Sequence, residues 1–324
     1  MAVAPLVVTI GDPNGIGIEI ISKAWKQRDL NKIPVFFLLG NVKTIDDYLK
    51  STGLVVPIQE IASPADALSV FSKAMPVLSL AGTDSIAEEI LLSIRRGTDF
   101  CLSGDASALV TNPIQKKRLY DTGFNFPGHT EFLASLTGVT DQAVMMLACR
   151  ELKVVPATIH IPLSSVPAQL SKDLLTHVIS TVDRDLQSWF GTQNPRIVVA
   201  GLNPHAGEGG SIGDEEIEII APTIKTLQQS GIDVKGPFPA DSLFHKAARE
   251  KYDAAVCMYH DQALVPIKTI DFDGGVNVTL GLPIIRTSPD HGTAEDIYGK
   301  GIANPTSLIE ALKIAAEMVT KTND

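Results

Sequence analysis

Leu6-Val7-Val8-Thr9-Ile10-Gly11-Asp12-Pro13-Asn14-Gly15-Ile16-Gly17-Ile18-Glu19 is the stretch whose reading decides the fold. Residues 6–10 form a short, largely β-branched apolar run, which reads as a buried strand. Glycines at 11, 15 and 17 turn the chain, and residues 18–27 then carry apolar side chains at helical spacing. Glycine at a strand-to-helix turn permits positive φ and close backbone approach, and a helix N-terminus favours an anion. The glycine spacing is not that of the dinucleotide fingerprint, so a tight turn without a ligand fits the same residues equally well.

The pattern repeats outward from this stretch. Residues 35–39, 108–111, 143–148, 196–200 and 254–258 read as strands, and 84–96, 170–190, 215–230 and 306–320 as amphipathic helices. Such alternation predicts parallel strands joined by crossover helices, the α/β class. No repeat, low-complexity tract or linker interrupts it.

With 324 residues, 44% of them hydrophobic and 20% charged, the chain can bury a large core. A formal charge of -10 argues against a nucleic-acid or anionic-membrane binder, because phosphate backbones need a basic footprint. A local basic pocket for a small anion is compatible with it. The cysteines, Cys101, Cys149 and Cys257, are widely spaced with no Cys-x-x-Cys, so neither a disulfide framework nor a thiolate metal site is expected. Residues 1–5 carry no basic start or cleavage site, and no apolar stretch of ~20 residues follows. A cytoplasmic location without signal peptide or membrane segment is therefore expected.

Three histidines stand in distinctive settings: Thr158-Ile159-His160-Ile161-Pro162, Asn203-Pro204-His205-Ala206-Gly207 and Met258-Tyr259-His260-Asp261-Gln262. Each follows an apolar run that reads as a strand, so each falls at a strand end, where α/β enzymes keep their chemistry. Three imidazoles so placed can hold one divalent metal and leave its other positions open. Pro127-Gly128-His129-Thr130-Glu131-Phe132 reads as a loop running into a helix, with His129 and Thr130 at helix-start positions; a displaced capping box reads from the same residues. Between 260 and 286, Lys268, Asn277 and Arg286 can together hold a phosphate or carboxylate. His291-Gly292-Thr293-Ala294 and the run up to Asn304-Pro305 read only as loop, turn and helix start.

Taken in order, GDPNGIGIE, PGHTEF, TIHIPL, GLNPHAGEGGSIGDEE, PADSLF, MYHDQALVPIK, GGVNVTLGLPIIRTSPDHGTA and GKGIANP resemble the 4-hydroxythreonine-4-phosphate dehydrogenase family, of the isocitrate/isopropylmalate dehydrogenase-like superfamily. The resemblance implies two α/β/α lobes with a cleft between them. Residues 1–127 with 276–324 would form the cofactor-side lobe, and 128–275 the metal, substrate and dimerisation lobe. It implies NAD(P)-dependent oxidation of 4-phosphooxy-L-threonine to 2-amino-3-oxo-4-phosphooxybutanoate. Loss of carbon dioxide then gives 3-amino-2-oxopropyl phosphate, in pyridoxine 5'-phosphate biosynthesis.

Carried over residue by residue, His160, His205 and His260 look like ligands of one divalent ion (zinc, magnesium, cobalt or manganese). His129, Thr130, Lys268, Asn277 and Arg286 look like substrate contacts, with Asp241 or Lys268 near the reacting hydroxyl as the base. Gly11, Asp12, Gly15, His291, Gly292, Thr293 and Asn304 look like the NAD or NADP side. The family pattern also implies a homodimer with its active site at the interface. Asn14 and Ile18 replace the family's usual Ala and Pro, and Asn112-Pro113-Ile114-Gln115-Lys116 replaces a common Gly-Pro form, which bears on detailed specificity. Four-carbon sugar acid phosphates such as threonate or erythronate 4-phosphate would suit the same metal and phosphate grip. An aromatic cis-diol would leave the cationic residues without a partner, and a non-catalytic binding protein would have no need of all three histidines.

Overall fold

The computed structural model describes residues 3–80, 82, 85–120, 124–126, 128–140 and 142–323. Asp84, at the start of the expected helix 84–96, and Pro127 lie outside the described residues. The chain divides into two units, Met1–Ala143 with Leu282–Asn323, and Val144–Gly281.

The first unit is built on β1 (Leu6–Thr9), β2 (Phe36–Gly40), β3 (Ile58–Ile61), β4 (Met75–Ser79), β5 (Leu109–Thr111) and β12 (Arg286–Pro289); β6 to β11 belong to the inserted segment. They lie in the order β3-β4-β2-β1-β5-β12, with every pair parallel. Its main helices are α1 (Gly17–Lys26), α2 (Val42–Thr52), α3 (Ile86–Ser103), α4 (His129–Leu136) and α8 (Thr306–Asn323). Val7, Phe37 and Leu109 share one face by register and pack with Ile90 and Ile94 of α3. Val8, Val110 and Thr287 share the other, where Thr287 Oγ1 donates to the Ala311 carbonyl of α8 (2.9 Å). Cover on both faces is what an uninterrupted apolar strand such as Phe36–Gly40 requires. Each such fully buried side chain gains about 1.5–3 kcal/mol from leaving water.

The second unit carries β6 (Val144–Cys149), β7 (Leu152–Thr158), β8 (Ile197–Ala200), β9 (Val234–Phe238), β10 (Ala254–Tyr259) and β11 (Val276–Leu280), in the order β11-β6-β7-β10-β8-β9. The last four are mutually parallel, whereas β6 runs antiparallel to both β7 and β11. Its main helices are α5 (Lys172–Ser188), α6 (Ala221–Gln229) and α7 (His260–Ile270). Ser171 caps α5, its hydroxyl accepting from the Leu174 N–H (3.1 Å).

Three differences from the sequence reading have physical causes. The expected helix 215–230 is a π turn, Glu216–Ile220, followed by α6. The unit boundaries fall at 143/144 and 281/282 rather than 127/128 and 275/276. On one side Phe124, Phe132 and Leu133 pack into the core of Leu39 and Leu109; on the other β11 pairs with β6. The alternation also predicts parallel strands alone, but the two residues between Cys149 and Leu152 allow only a hairpin.

Candidate active site

In the second unit, β7, β10 and β8 are neighbours running the same way, with Thr158 opposite Tyr259 and Val199 opposite Val256. Parallel strands release their loops on one edge, and all three histidines leave from it. His160 follows β7 by two residues, His260 opens α7 directly after β10, and His205 lies in the turn Pro204–Gly210 after β8. The imidazoles of His160 and His260 stand 5.7 Å apart, centroid to centroid. Together with Thr158, Leu163, Tyr259 and Asp261 they line a pocket of about 250 Å³. Thr158 Oγ1 donates to the Met258 carbonyl (2.8 Å), joining the two strand ends. Among the described residues, no three His, Cys, Asp or Glu side chains gather around one metal position. One chain thus brings His160 and His260 together and does not add His205 to them.

The backbone around these histidines is strained. His160 has φ 51°, and His205, Ala206, Gly207, Glu208 and Gly209 form a left-handed run with φ from 46° to 78°. For a residue with a Cβ this costs roughly 1–2 kcal/mol, so the loop must be held from outside. Glu216, 3% exposed, does so: its Oε1 accepts from the Asn203 N–H (2.8 Å) and its Oε2 from Asn203 Nδ2 (3.0 Å). Glu215 Oε2 accepts from the same amide nitrogen (2.7 Å). A Cβ on Gly207 would stand 2.6 Å from Glu216 Oε2, so a larger residue there would displace the carboxylate that holds the loop. Asp241 is exposed in the turn Ala240–Ser242, which packs on the His205 turn.

The donor set fits a nitrogen-coordinated metal. His260 Nδ1 lies 2.7 Å from Asp261 Oδ1, an arrangement that in the Nδ1–H tautomer leaves Nε2 to ligate. Further along α7, Lys268 Nζ lies 5.1 Å from the Phe272 ring centroid. Asn277, half-buried in β11, has an Oδ1 with no hydrogen-bond partner among the described residues.

In the first unit, the cationic residues gather at the start of α4. Arg286, 3% exposed at the head of β12, donates from Nε and Nη2 to Thr111 Oγ1 (3.2 and 2.6 Å). Burial pushes its guanidinium down to about 10. His129 is held well below the usual imidazole range, first by burial and then by the charges of Arg286 and Lys116, so it stays neutral. Its Nε2 has no partner among the described residues. Lys116 Nζ lies 3.4 Å from the position of a Cβ on Gly128, at the same helix start. Thr130 is the second residue of α4. A buried guanidinium, an ammonium and a neutral imidazole stand at this helix N-terminus, a set able to attract an anion, with the Glu131 carboxylate beside them, its Oε2 also 3.4 Å from the Gly128 Cβ position.

The turn after β1 is packed by the chain itself. A Cβ on Gly11 would meet Asn112 Cβ at 2.6 Å, and one on Gly15 the Thr293 carbonyl at 2.9 Å. Asp12, fully buried, accepts from the Asn14 N–H (3.0 Å) and from Arg118 Nε (2.9 Å). Arg118 also reaches Glu295 (3.7 Å), and the Asn14 amide oxygen, turned toward it, accepts from Nη1 and Nη2 (3.2 and 3.3 Å). The Ile16 N–H donates to the Thr293 carbonyl (3.0 Å). His291 Nδ1 lies 3.0 Å from the Gly292 carbonyl, and its Nε2 has no partner among the described residues; Gly292 faces open space. Asn304 Oδ1 accepts from the Thr306 N–H (3.0 Å) and so shapes the start of α8.

The family model described as pyridoxal phosphate biosynthetic protein PdxA matches residues 32–315. The chain belongs to that family. A 4-hydroxythreonine-4-phosphate dehydrogenase of Ruegeria sp. (strain TM1040) is 53% identical over 330 residues, covering 98% of each chain. One from Bradyrhizobium diazoefficiens is 50% identical, covering 98% of this chain and 97% of its own. The crystal structure of 4-hydroxythreonine-4-phosphate dehydrogenase from Klebsiella pneumoniae superposes with a TM-score of 0.87 at 37% identity, covering 98% and 99% of the two chains. The PdxA-family chain is thus an oxidoreductase of dehydrogenase type.

Lys116, Arg118, Glu216 and Gln262 escape the sequence reading. Lys116 and Arg118 act on segments brought to them by folding, and Glu216 and Gln262 lie inside quoted motifs whose side-chain roles the spacing does not reveal.

Proposed function

We propose that the protein oxidises the C3 hydroxyl of 4-phosphooxy-L-threonine with NAD or NADP, and that the keto acid loses carbon dioxide to give 3-amino-2-oxopropyl phosphate, within pyridoxine 5'-phosphate synthesis. The observation that carries this reading is the end-to-end match to dehydrogenases of that name, at 53% identity across 98% of the chain. Arg286, with Lys116 and the neutral His129, holds the phosphate dianion at the start of α4. Thr130 adds a hydroxyl there, and Lys268 and Asn277 supply further contacts to the substrate. Gly11, Asp12, Gly15, His291, Gly292, Thr293 and Asn304 would hold the dinucleotide, which would supply the hydride acceptor.

His160, His205 and His260 are the metal ligands, a set that suits zinc or cobalt and holds magnesium or manganese weakly. An ion held there would supply Lewis acidity toward the hydroxyl being oxidised. Asp241 or Lys268 takes the hydroxyl proton. The pairing of His160 with His260 without His205 supports a site completed by a second copy of the chain, a homodimer.

The test is NADH formation, followed by absorbance, with 4-phosphooxy-L-threonine and D-threonate 4-phosphate side by side, each with and without chelator. We expect chelator-sensitive turnover that prefers the amino acid. Preference for the sugar acid would overturn the substrate assignment, and indifference to chelator the metal assignment.

A further inference from the structure

Where β8 and β10 end, a single side chain touches both. Gln262 lies in the first turn of α7, two residues after His260. Its Oε1 accepts from the Met258 N–H (2.7 Å), and its Nε2 donates to the Gly201 carbonyl (2.8 Å). Met258 lies at the end of β10, just ahead of His260. Gly201 is the first residue beyond β8 and opens the loop that carries His205. A side-chain amide can donate and accept at once from one planar head, so Gln262 fixes both distance and orientation between the two strand ends.

The His205 loop is therefore held at two points. Glu216 grips it at Asn203, and Gln262 grips it at Gly201. A Cβ on Gly201 would stand 2.9 Å from the Ala206 Cα, so a small displacement at Gly201 is felt directly next to His205. Both backbone groups bound by Gln262 belong to segments that lead into expected metal ligands, and its own backbone lies in the helix opened by one of them.

We infer that Gln262 is a positioning residue for metal binding: it fixes the strand ends that lead into His260 and His205, each a ligand in a site shared between two copies of the chain, without itself ligating an ion. The inference rests on the metal reading above. Groups that orient metal ligands from behind typically change affinity about 10–100-fold when removed.

The test uses the full-length, metal-stripped protein titrated with Co²⁺, read by calorimetry and by the visible absorption of the bound ion. Gln262→Met keeps the side-chain length and removes both polar atoms; Gln262→Ala removes the side chain. Both variants should bind Co²⁺ about 10–100-fold more weakly with altered absorption bands. Their metal-free melting temperatures should fall by only a few degrees. Wild-type protein that takes up no Co²⁺ would remove the metal reading, and this inference with it. Uptake by wild type, with both variants equal to it in affinity and spectrum, would overturn the role of Gln262 alone. Loss of cooperative melting in both metal-free variants would also overturn it, by making Gln262 a residue of the fold.

Discussion

His129 shows how one side chain can couple a ligand site to stability. Half-buried, with its ring set beside Arg286 and Lys116, it stays neutral in the folded protein, whereas in the unfolded chain it takes up a proton below about pH 6.5. The unfolded state then binds the extra proton, so stability falls as pH drops below that value. We expect the melting temperature to decline between pH 7.5 and 5.5, and to decline less steeply in His129→Gln. Parallel slopes in the two proteins would mean that the imidazole does titrate in place. The resemblance read from sequence includes His129 and Arg286. It does not include Lys116, which reaches Gly128 only once α4 has been brought beside the segment after β5.

Among the elements, the turn after β1 depends on a contact supplied from elsewhere in its unit. Arg118, on the short helix Lys116–Tyr120, pairs with buried Asp12 and reaches Glu295, so it holds the first turn and the 295–297 turn together. Removing it leaves a buried carboxylate uncompensated, which costs about 3–5 kcal/mol for a fully buried pair and less here, because a third of Arg118 is exposed. Arg118→Ala should lower the urea midpoint and raise KM for the dinucleotide more than it lowers kcat. Arg118→Lys should recover part of each, and an unchanged urea midpoint in Arg118→Ala would remove the staple. The strands with clear apolar runs are legible in the sequence. β3 is not, because Gln59 and Glu60 are exposed on an edge strand; nor is β12, whose Arg286, Thr287 and Ser288 are buried yet polar. α7 is hidden by Pro266 within it.

For the whole molecule, the α/β class follows from the repeated strand–helix alternation, but the division into units does not, because the chain crosses between them without a linker. The second unit is one continuous stretch, Val144–Gly281, with its own core of Leu147, Val154, Ala255, Cys257 and Ile267. The first is discontinuous. Residues 144–281 made alone should give a cooperatively melting α/β fragment by circular dichroism, while 1–143 alone should not, since it lacks β12 and α8. A cooperative melt of 1–143 would show that the returning segment is dispensable. The same topology sets a schedule during synthesis. Thr111 waits for Arg286, 175 residues later, and at ~5–20 residues per second that interval is roughly 9–35 s. Throughout it the nascent chain carries β5 with one edge unpaired, a surface for chaperones or for misassembly on the ribosome, while the later-made unit can already be complete.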